Sequence, residues 1–408
     1  MKVLHITASN RGGAGIAALR LHYALNKNGV QSAYLSKNLT IDFNNNHIKD
    51  NFFDYKRLSF IQRIFKKMDL FFSLSKESKS RVKIEKVKSN LEYEIYTIPF
   101  CSIKLEEHPL VREADILNFH WMGGILNYPA FFEKCKKPIV WTMHDLSPIQ
   151  GIFHYKNDII RNKKWIGDLE NELKKYKLEV LNNNIKAIVS PSNWLLQEVK
   201  NENLNPDIIL ETIPNCIDFD QFRLQNRSEL RLKYDIKPDE FVLLFVADSL
   251  KNKRKGFDVM LEAVAQLENI SFTVLTIGKG DITIKNQKVI ALGEIHDASK
   301  MAEAYTVSNV FVLPSREDNL PNVMLESFAC GTPVVSFNHG GMKDFIIENK
   351  TGILAQEISG SALANAIEKF YLSKGLYDSN FIANFAKENF SKEKQASLYT
   401  KLYNKLVK

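Results

Sequence analysis

Two short polar segments concentrate charge beside the starts of helix-forming runs. The first, Lys253-Arg254-Lys255-Gly256-Phe257-Asp258, sets three cations in a row. A guanidinium offers phosphate a fork and an ammonium a point charge, the groups needed to neutralise a departing diphosphate. The second runs from Leu313 to Pro333 and carries Arg316-Glu317-Asp318-Asn319, then Leu320-Pro321-Asn322-Val323, with Glu326 further on. Pro321 suits a helix first turn, and the amides near Asn322 and Val323 are then first-turn donors suited to a diphosphate. The carboxylates flanking them can accept hydrogen bonds from sugar hydroxyls, so the layout suits a sugar nucleotide. Taken singly, each segment has a plainer reading: a solvated basic loop, a solvated Glu326, and Asp318 as an ordinary helix cap.

A third segment, Asn10-Arg11-Gly12-Gly13-Ala14-Gly15-Ile16-Ala17-Ala18, lets backbone approach a ligand at a helix start. Gly13 to Ala18 fits the dinucleotide pattern G-x-G-x-x-G/A, but the acid expected at the end of the next strand is missing, because that strand ends Leu35-Ser36-Lys37. A nicotinamide cofactor is therefore disfavoured, and a purely structural tight turn remains the plain alternative. Asp218-Phe219-Asp220 spells D-x-D but falls in a hinge-like stretch, so no metal site is expected there. His22, His47 and His108 lack ligand spacing and read as surface or satisfied residues, whereas His144 sits at a strand C-terminus.

Chemistry at such points needs strands to deliver it. Short β-branched runs alternate with helical patterns: strands Val3 to Thr7, Ser32 to Leu35, Asp115 to Phe119, Pro138 to Met143 and Lys186 to Ser190 in one series. A second series holds strands Phe241 to Val246, Phe272 to Ile277, Val289 to Leu292, Val310 to Leu313 and Pro333 to Phe337. This alternation predicts α/β architecture with two doubly wound parallel sheets. The expected boundaries are a first domain at 1–212 with a basic helical insertion at about 50–90, a hinge at 213–218, a second domain at 219–390, and a C-terminal helix at 391–408 packing back toward the first domain.

The 408 residues are too many for one small module, and 45% hydrophobic, 11% aromatic and 25% charged content excludes a disordered or fibrous chain. Cys101, Cys135, Cys216 and Cys330 lie far apart without a CxxC, which argues against structural zinc or a disulfide framework and fits a reducing compartment. Met1 to Thr7 reads as a buried strand and not as a signal peptide, and no apolar run reaches the ~20 residues that span a bilayer.

With these segments assembled, the chain resembles the retaining glycosyltransferases of family 4, whose GT-B fold sets two Rossmann-like domains across a cleft. The resemblance rests on Gly12-Gly13-Ala14-Gly15, Trp141-Thr142-Met143-His144-Asp145, Ile213-Pro214-Asn215, Arg254-Lys255-Gly256 and the stretch from Asp318 to Val335. His120-Trp121-Met122-Gly123-Gly124, His154-Tyr155 and Glu317-Asp318-Asn319-Leu320-Pro321-Asn322 further resemble a subgroup that builds bacterial surface polysaccharides, including capsule and lipopolysaccharide. The resemblance implies transfer of a sugar, with retention and without a metal, from a nucleotide diphosphate sugar to a hydroxyl acceptor on a lipid-linked or growing glycan. It implies no cofactor besides a UDP- or GDP-linked donor, and no nucleic acid. A catalytically silent GT-B scaffold or an NDP-sugar epimerase are the other readings.

By the same resemblance Glu326 holds the nucleotide ribose, Arg254 and Lys255 hold the diphosphate, and Gly12, Gly13, Asn319, Leu320, Asn322 and Val323 line the donor. His144 lies near the donor sugar. The family's Glu-x7-Glu motif has Asp318 in its first position, with Glu317 one residue too far, so the first acid is one or the other. The usual Gly-Arg after the first strand of the second domain is Ala247-Asp248 here, which leaves the cationic work to Arg254 and Lys255.

The formal net charge of +8 is concentrated. Between Lys56 and Lys88 stand eleven basic and three acidic residues, and the rest of the chain balances. Leu58, Ile61, Phe65, Met68 and Phe72 recur at helical spacing among these cations, an amphipathic basic pattern. It predicts either an inserted helix packed on the first domain or contact of residues 52–88 with an anionic membrane from a cytoplasmic protein, at the inner face of the inner membrane.

Overall fold

The computed structural model describes residues 1–48, 64, 68, 69, 72, 74–280, 283, 284 and 287–407, the side chain of His47 apart. Leu58, Ile61 and Phe65, on which part of the amphipathic pattern rests, lie outside the described residues. The contacts divide the chain into two units: Met1–Ile213 with Ala396–Lys408, and Pro214–Gln395.

Unit 1 carries an eight-stranded sheet in the order β4-β3-β2-β1-β5-β6-β7-β8. Its strands are β1 Lys2–Ile6, β2 Gln31–Leu35, β3 Thr40–Ile41, β4 His47–Ile48, β5 Ile116–Phe119, β6 Ile139–Thr142, β7 Ala187–Ser190 and β8 Ile209–Thr212. All pairings are parallel except those of β3, which is antiparallel to both β2 and β4. Because the chain runs from β1 to β2 on one side and later to β5 on the other, β1 and β5 flank the topological switch point of this sheet.

Unit 2 carries a six-stranded, all-parallel sheet in the order β11-β10-β9-β12-β13-β14. Its strands are β9 Val242–Ser249, β10 Thr273–Lys279, β11 Lys288–Ala291, β12 Val310–Leu313, β13 Val334–Phe337 and β14 Gly352–Ala355. The switch point falls between β9 and β12. Every residue of β12 is buried, as a central parallel strand covered on both faces requires. Alternation along β9 supplies two cores: Val242, Leu244 and Val246 join Met324, Leu325 and Phe328 on one face, while Leu243, Phe245 and Ala247 join Phe257, Met260 and Leu363 on the other.

The C-terminal residues are fixed to the first sheet by polar as well as apolar contacts. Tyr399 and Tyr403 of the helix Lys392–Leu406 pack on Val3, Val140 and Val189. Asn118 Nδ2 donates to the Tyr403 hydroxyl at 2.7 Å, and Thr142 Oγ1 donates to Asn118 Oδ1 at 2.9 Å. Both ends of the first bond are buried, so Tyr403→Phe strands an amide N–H and should cost about 1–3 kcal/mol. The check is the urea midpoint; an unchanged midpoint would show that Asn118 finds another acceptor.

Candidate functional site

In unit 2 the basic triplet Lys253–Lys255 forms a single 3-10 turn after β9, and the Asn252 side chain accepts from the Arg254 amide at 3.0 Å. Gly256 ends that turn with φ +72, and a Cβ there would lie 1.9 Å from the carbonyl oxygen of Pro314, just beyond β12. Only a residue without a side chain lets the two loops close on each other. They are then laced together: the Arg316 amide donates to the Arg254 carbonyl at 2.8 Å, and Arg254 Nη1 donates to the Glu317 carbonyl at 2.9 Å. Arg316 also grips the Asp258 carboxylate through both terminal nitrogens at 2.7 and 2.8 Å.

Asp318 is a carboxylate that meets two of the cations. Its Oδ2 lies 2.7 Å from Lys255 Nζ and 3.2 Å from Arg254 Nη1. Burial opposes its ionisation, but Lys255 and then Arg254 overcome that cost and hold the carboxyl below the usual carboxylate range. Glu317 is 2% exposed and turns its backbone carbonyl to Arg254. The loop is braced from β13: the Gly341 amide donates to the Asp318 carbonyl at 3.1 Å, and a Cβ on Gly340, at φ +65, would fall 2.2 Å from that oxygen. These two glycines were not picked out from sequence, although Asn338-His339-Gly340-Gly341 after a strand is a recognisable turn.

Pro321 occupies the N-cap of the helix Asn322–Ala329, one residue before the first turn where its type was expected, and gives the first-turn amides no side-chain cap. Asn322 Oδ1 accepts from Asn215 Nδ2 at 3.3 Å. Leu320 packs into the unit 2 core and Val323 lies against it, while Asn319 is buried in the same loop. Glu326 is 8% exposed, which rules out a solvated helix residue, and the Tyr305 hydroxyl donates to its Oε2 at 3.4 Å. Thus Arg254, Lys255, Asp318, Asn319, Leu320, Asn322, Val323 and Glu326 gather around the β9/β12 switch point, where ligands bind open parallel sheets.

Gly12, Gly13 and His144 belong to unit 1. The helix Gly12–Lys27 starts directly after the β1 loop, with Gly12 at φ +74, Arg11 at its N-cap and no side-chain cap. A Cβ on Gly15 would meet the Ser9 carbonyl oxygen at 2.2 Å, so that glycine is needed for the tightness of the loop. His144 follows β6 and joins a row of imidazoles that sequence reading missed: His5 Nδ1 lies 3.0 Å from His120 Nε2, and His120 Nδ1 lies 3.1 Å from His144 Nε2. Next to it, Asp145 Oδ2 lies 2.7 Å from His154 Nδ1, whose Nε2 lies 2.9 Å from Thr97 Oγ1. Burial works against the Asp145 charge, yet His154 and the Ser147 hydrogen bonds bring its pKa down to about 2. The loop 145–155 is pinned from behind by Glu170, which accepts from the amides of Gly151, Ile152 and Phe153 at 2.6, 2.7 and 3.2 Å. His22 and His108 are buried, His22 against Ser32 Oγ at 2.9 Å and His108 accepting from the Leu110 amide at 3.2 Å.

Burial lowers the pKa of His144 to about 4 despite the opposing pull of Asp145, and it holds His5 and His120 well below the ordinary histidine value. Between pH 6.5 and 4 the unfolded chain therefore binds protons that the folded chain refuses, and stability falls with pH across that window. His144 alone should account for a loss on the order of 3 kcal/mol between neutrality and pH 4. Urea midpoints taken from pH 7 to about 5.5, above the ordinary Glu and Asp values, will show the start of the decline; a flat profile would contradict neutral buried imidazoles.

Asp218 of the D-x-D sequence holds Lys392 Nζ at 2.8 Å and the Asp220 amide at 3.2 Å through Oδ1. Among the described residues, no group of three or more His, Cys, Asp or Glu gathers in a way that could hold a metal ion. No described helix is long and apolar enough to cross a membrane.

Residues 240–373, which span β9 to β14 and include all of the β9/β12 cluster, match the family model described as "Glycosyl transferases group 1". The chain carries a glycosyltransferase group 1 domain. Curated relatives extend the likeness: the D-inositol 3-phosphate glycosyltransferase of Pseudarthrobacter chlorophenolicus is 25% identical over 63% of this chain and 62% of its own length. The capsular polysaccharide biosynthesis glycosyltransferase CapM of Staphylococcus aureus is 27% identical over 40% of this chain and 45% of its own. The chain thus spans less than two thirds of either relative. Among solved structures, HepE of Anabaena in complex with UDP-glucose superposes with a TM-score of 0.64 at 16% identity, covering 100% of both chains. The fold is that of the GT-B glycosyltransferases, two Rossmann-like units each with a parallel sheet, and the glycosyltransferase domain is the second of them.

Proposed function

We propose that the chain transfers a sugar from a UDP- or GDP-linked donor to a hydroxyl acceptor, with retention of anomeric configuration and without a metal. The observation that carries this reading is the ion cluster of Arg254, Lys255 and Asp318, set at the switch point beside the start of the helix Asn322–Ala329 and the buried Glu326. Asp318 holds the two cations in place, and the donor diphosphate takes them over. As the glycosidic bond stretches, negative charge grows on the β-phosphate, where Lys255, Arg254 and the amides of Asn322 and Val323 stabilise it without reorganising. Glu326 accepts hydrogen bonds from the nucleotide ribose. Retention and the absence of a metal rest on the family resemblance; the UDP-glucose complex of HepE supports a nucleotide sugar, and the name of CapM supports a surface polysaccharide acceptor.

The test is release of nucleoside diphosphate by the purified chain from a panel of UDP- and GDP-sugars, with donors ranked beforehand by thermal shift. Conversion of donor without nucleotide release, or no response to any donor, would overturn the reading.

Contact with an anionic membrane surface belongs to the same proposal. In the described part of the basic segment, the helix Lys76–Val87 displays Lys79, Lys83 and Lys86, and Phe72 and Leu74 nearby are 60% and 68% exposed. At about 1 kcal/mol per cation near such a surface, several kcal/mol of reversible attachment is expected. The chain should therefore sediment with anionic vesicles and not with neutral ones; equal behaviour with both would remove the membrane from the proposal.

A further inference from the structure

The row His5, His120 and His144 crosses three neighbouring strands: His5 lies in β1, His120 directly follows β5 and His144 follows β6. Successive ring centroids are 5.3 Å apart, and the planes of His120 and His144 are within 25° of each other. The backbone of His120 is held on both sides, its amide donating to the Ile6 carbonyl at 2.9 Å and its carbonyl accepting from Trp141 Nε1 at 3.2 Å.

A neutral imidazole has one N–H and one bare nitrogen. Both nitrogens of His120 face other imidazoles, so one must donate and the other accept, and the three protons move as a set. Only two arrangements satisfy both ring-to-ring bonds. In the first, every proton is on Nδ1: His5 donates to His120, and His120 donates to Nε2 of His144. In the second, every proton is on Nε2 and the direction reverses.

His5 Nε2 distinguishes them. It is buried and has no hydrogen-bond partner, in a side chain of 0% exposure. The second arrangement would leave an orphaned N–H there, whereas the first leaves only a bare lone pair, the more readily tolerated of the two. We propose that His120, backed by His5, is a positioning residue that fixes His144 as the Nδ1–H tautomer. Nε2 of His144 is then committed as an acceptor, so toward any oxygen that meets Nδ1 His144 acts as a hydrogen-bond donor and not as a base. The low pKa values of all three rings are consistent with a chain that stays neutral at pH 7. That a donor-sugar hydroxyl or carbonyl is such an oxygen rests on the proposed glycosyl transfer.

The experiment is two-bond 1H–15N correlation on the full chain labelled with 15N-histidine at pH 7.5, assigned through single-histidine variants. All three rings should show a protonated Nδ1 and a bare Nε2. His120→Leu should shift His144 toward the Nε2–H form that free histidine prefers, and His120→Asn, whose amide N–H sits where Nδ1–H was, should restore the original pattern. Turnover should follow, falling about tenfold in the Leu variant with donor KM unchanged and recovering in the Asn variant. A wild-type His144 protonated on Nε2 overturns the inference without any variant, as does an identical His144 tautomer in both His120 variants. Absence of sugar transfer from the wild-type chain would instead remove the functional reading and leave the tautomer result standing.

Discussion

Lys255→Ala should fold as the wild type does and lower kcat by about 10²-fold to 10³-fold. The Lys255 amide, which donates to the Asn252 carbonyl at 3.0 Å, survives the substitution, so the turn keeps its backbone bond. What is lost is the cation 2.7 Å from Asp318, which the proposed function places where charge develops as the diphosphate leaves. Such a group acts more strongly on the transition state than on the bound donor, so KM should change little. Glu326→Ala places the best helix former in the helix Asn322–Ala329 and removes the carboxylate proposed to accept from the ribose, and there the loss of at least about 10²-fold should appear in kcat/KM. Near-normal kcat in the Lys255 variant, or near-normal kcat/KM in the Glu326 variant, would take that residue out of the site.

Lys255 and Glu326 could be singled out from sequence as candidates because each lies in a segment that carries its proposed chemistry within a few residues. The strands beneath them were legible for a related reason: central parallel strands such as Val310-Phe311-Val312-Leu313 are buried on both faces and read as unbroken apolar runs. The edge strand β8, Ile209–Thr212, is only partly buried, and β14, Gly352–Ala355, opens on a glycine that breaks the apolar run. The 29-residue helix Lys156–Asn184 hid for another reason. Its inward face includes Asp158, Asn162, Glu170 and Lys177, which serve loops and break the apolar period. The imidazole row is the extreme case, joining positions 115 and 24 residues apart that only the strand order brings together. Glu317 against Asp318 was left open by spacing, and Asp318 makes contact with both Lys255 and Arg254.

Gly256→Val tests the same site through the backbone. Gly256 is left-handed at φ +72, a conformation that costs an L-residue roughly 1–2 kcal/mol and a β-branched one more. A Cβ would also stand 1.9 Å from the Pro314 carbonyl, and that atom belongs to backbone fixed at the end of β12, so the 3-10 turn must yield. Moving Lys253–Lys255 away from Pro314 opens the Arg316-to-Arg254 amide bond, the Arg254-to-Glu317 bond and both ion pairs to Asp318. Stability should therefore drop by at least about 3 kcal/mol, and donor-induced thermal stabilisation should vanish with it. Gly12→Ala is the control: Gly12 is equally left-handed at φ +74 but has nothing within 4 Å of its would-be Cβ, so it carries the conformational cost of about 1–2 kcal/mol without the overlap. If the two variants lost the same stability, the close approach of the basic turn to β12 would not be what Gly256 is for. If Gly256→Val kept full response to donor, the Arg254–Lys255 turn would not need its contact with the Asp318 loop to bind it.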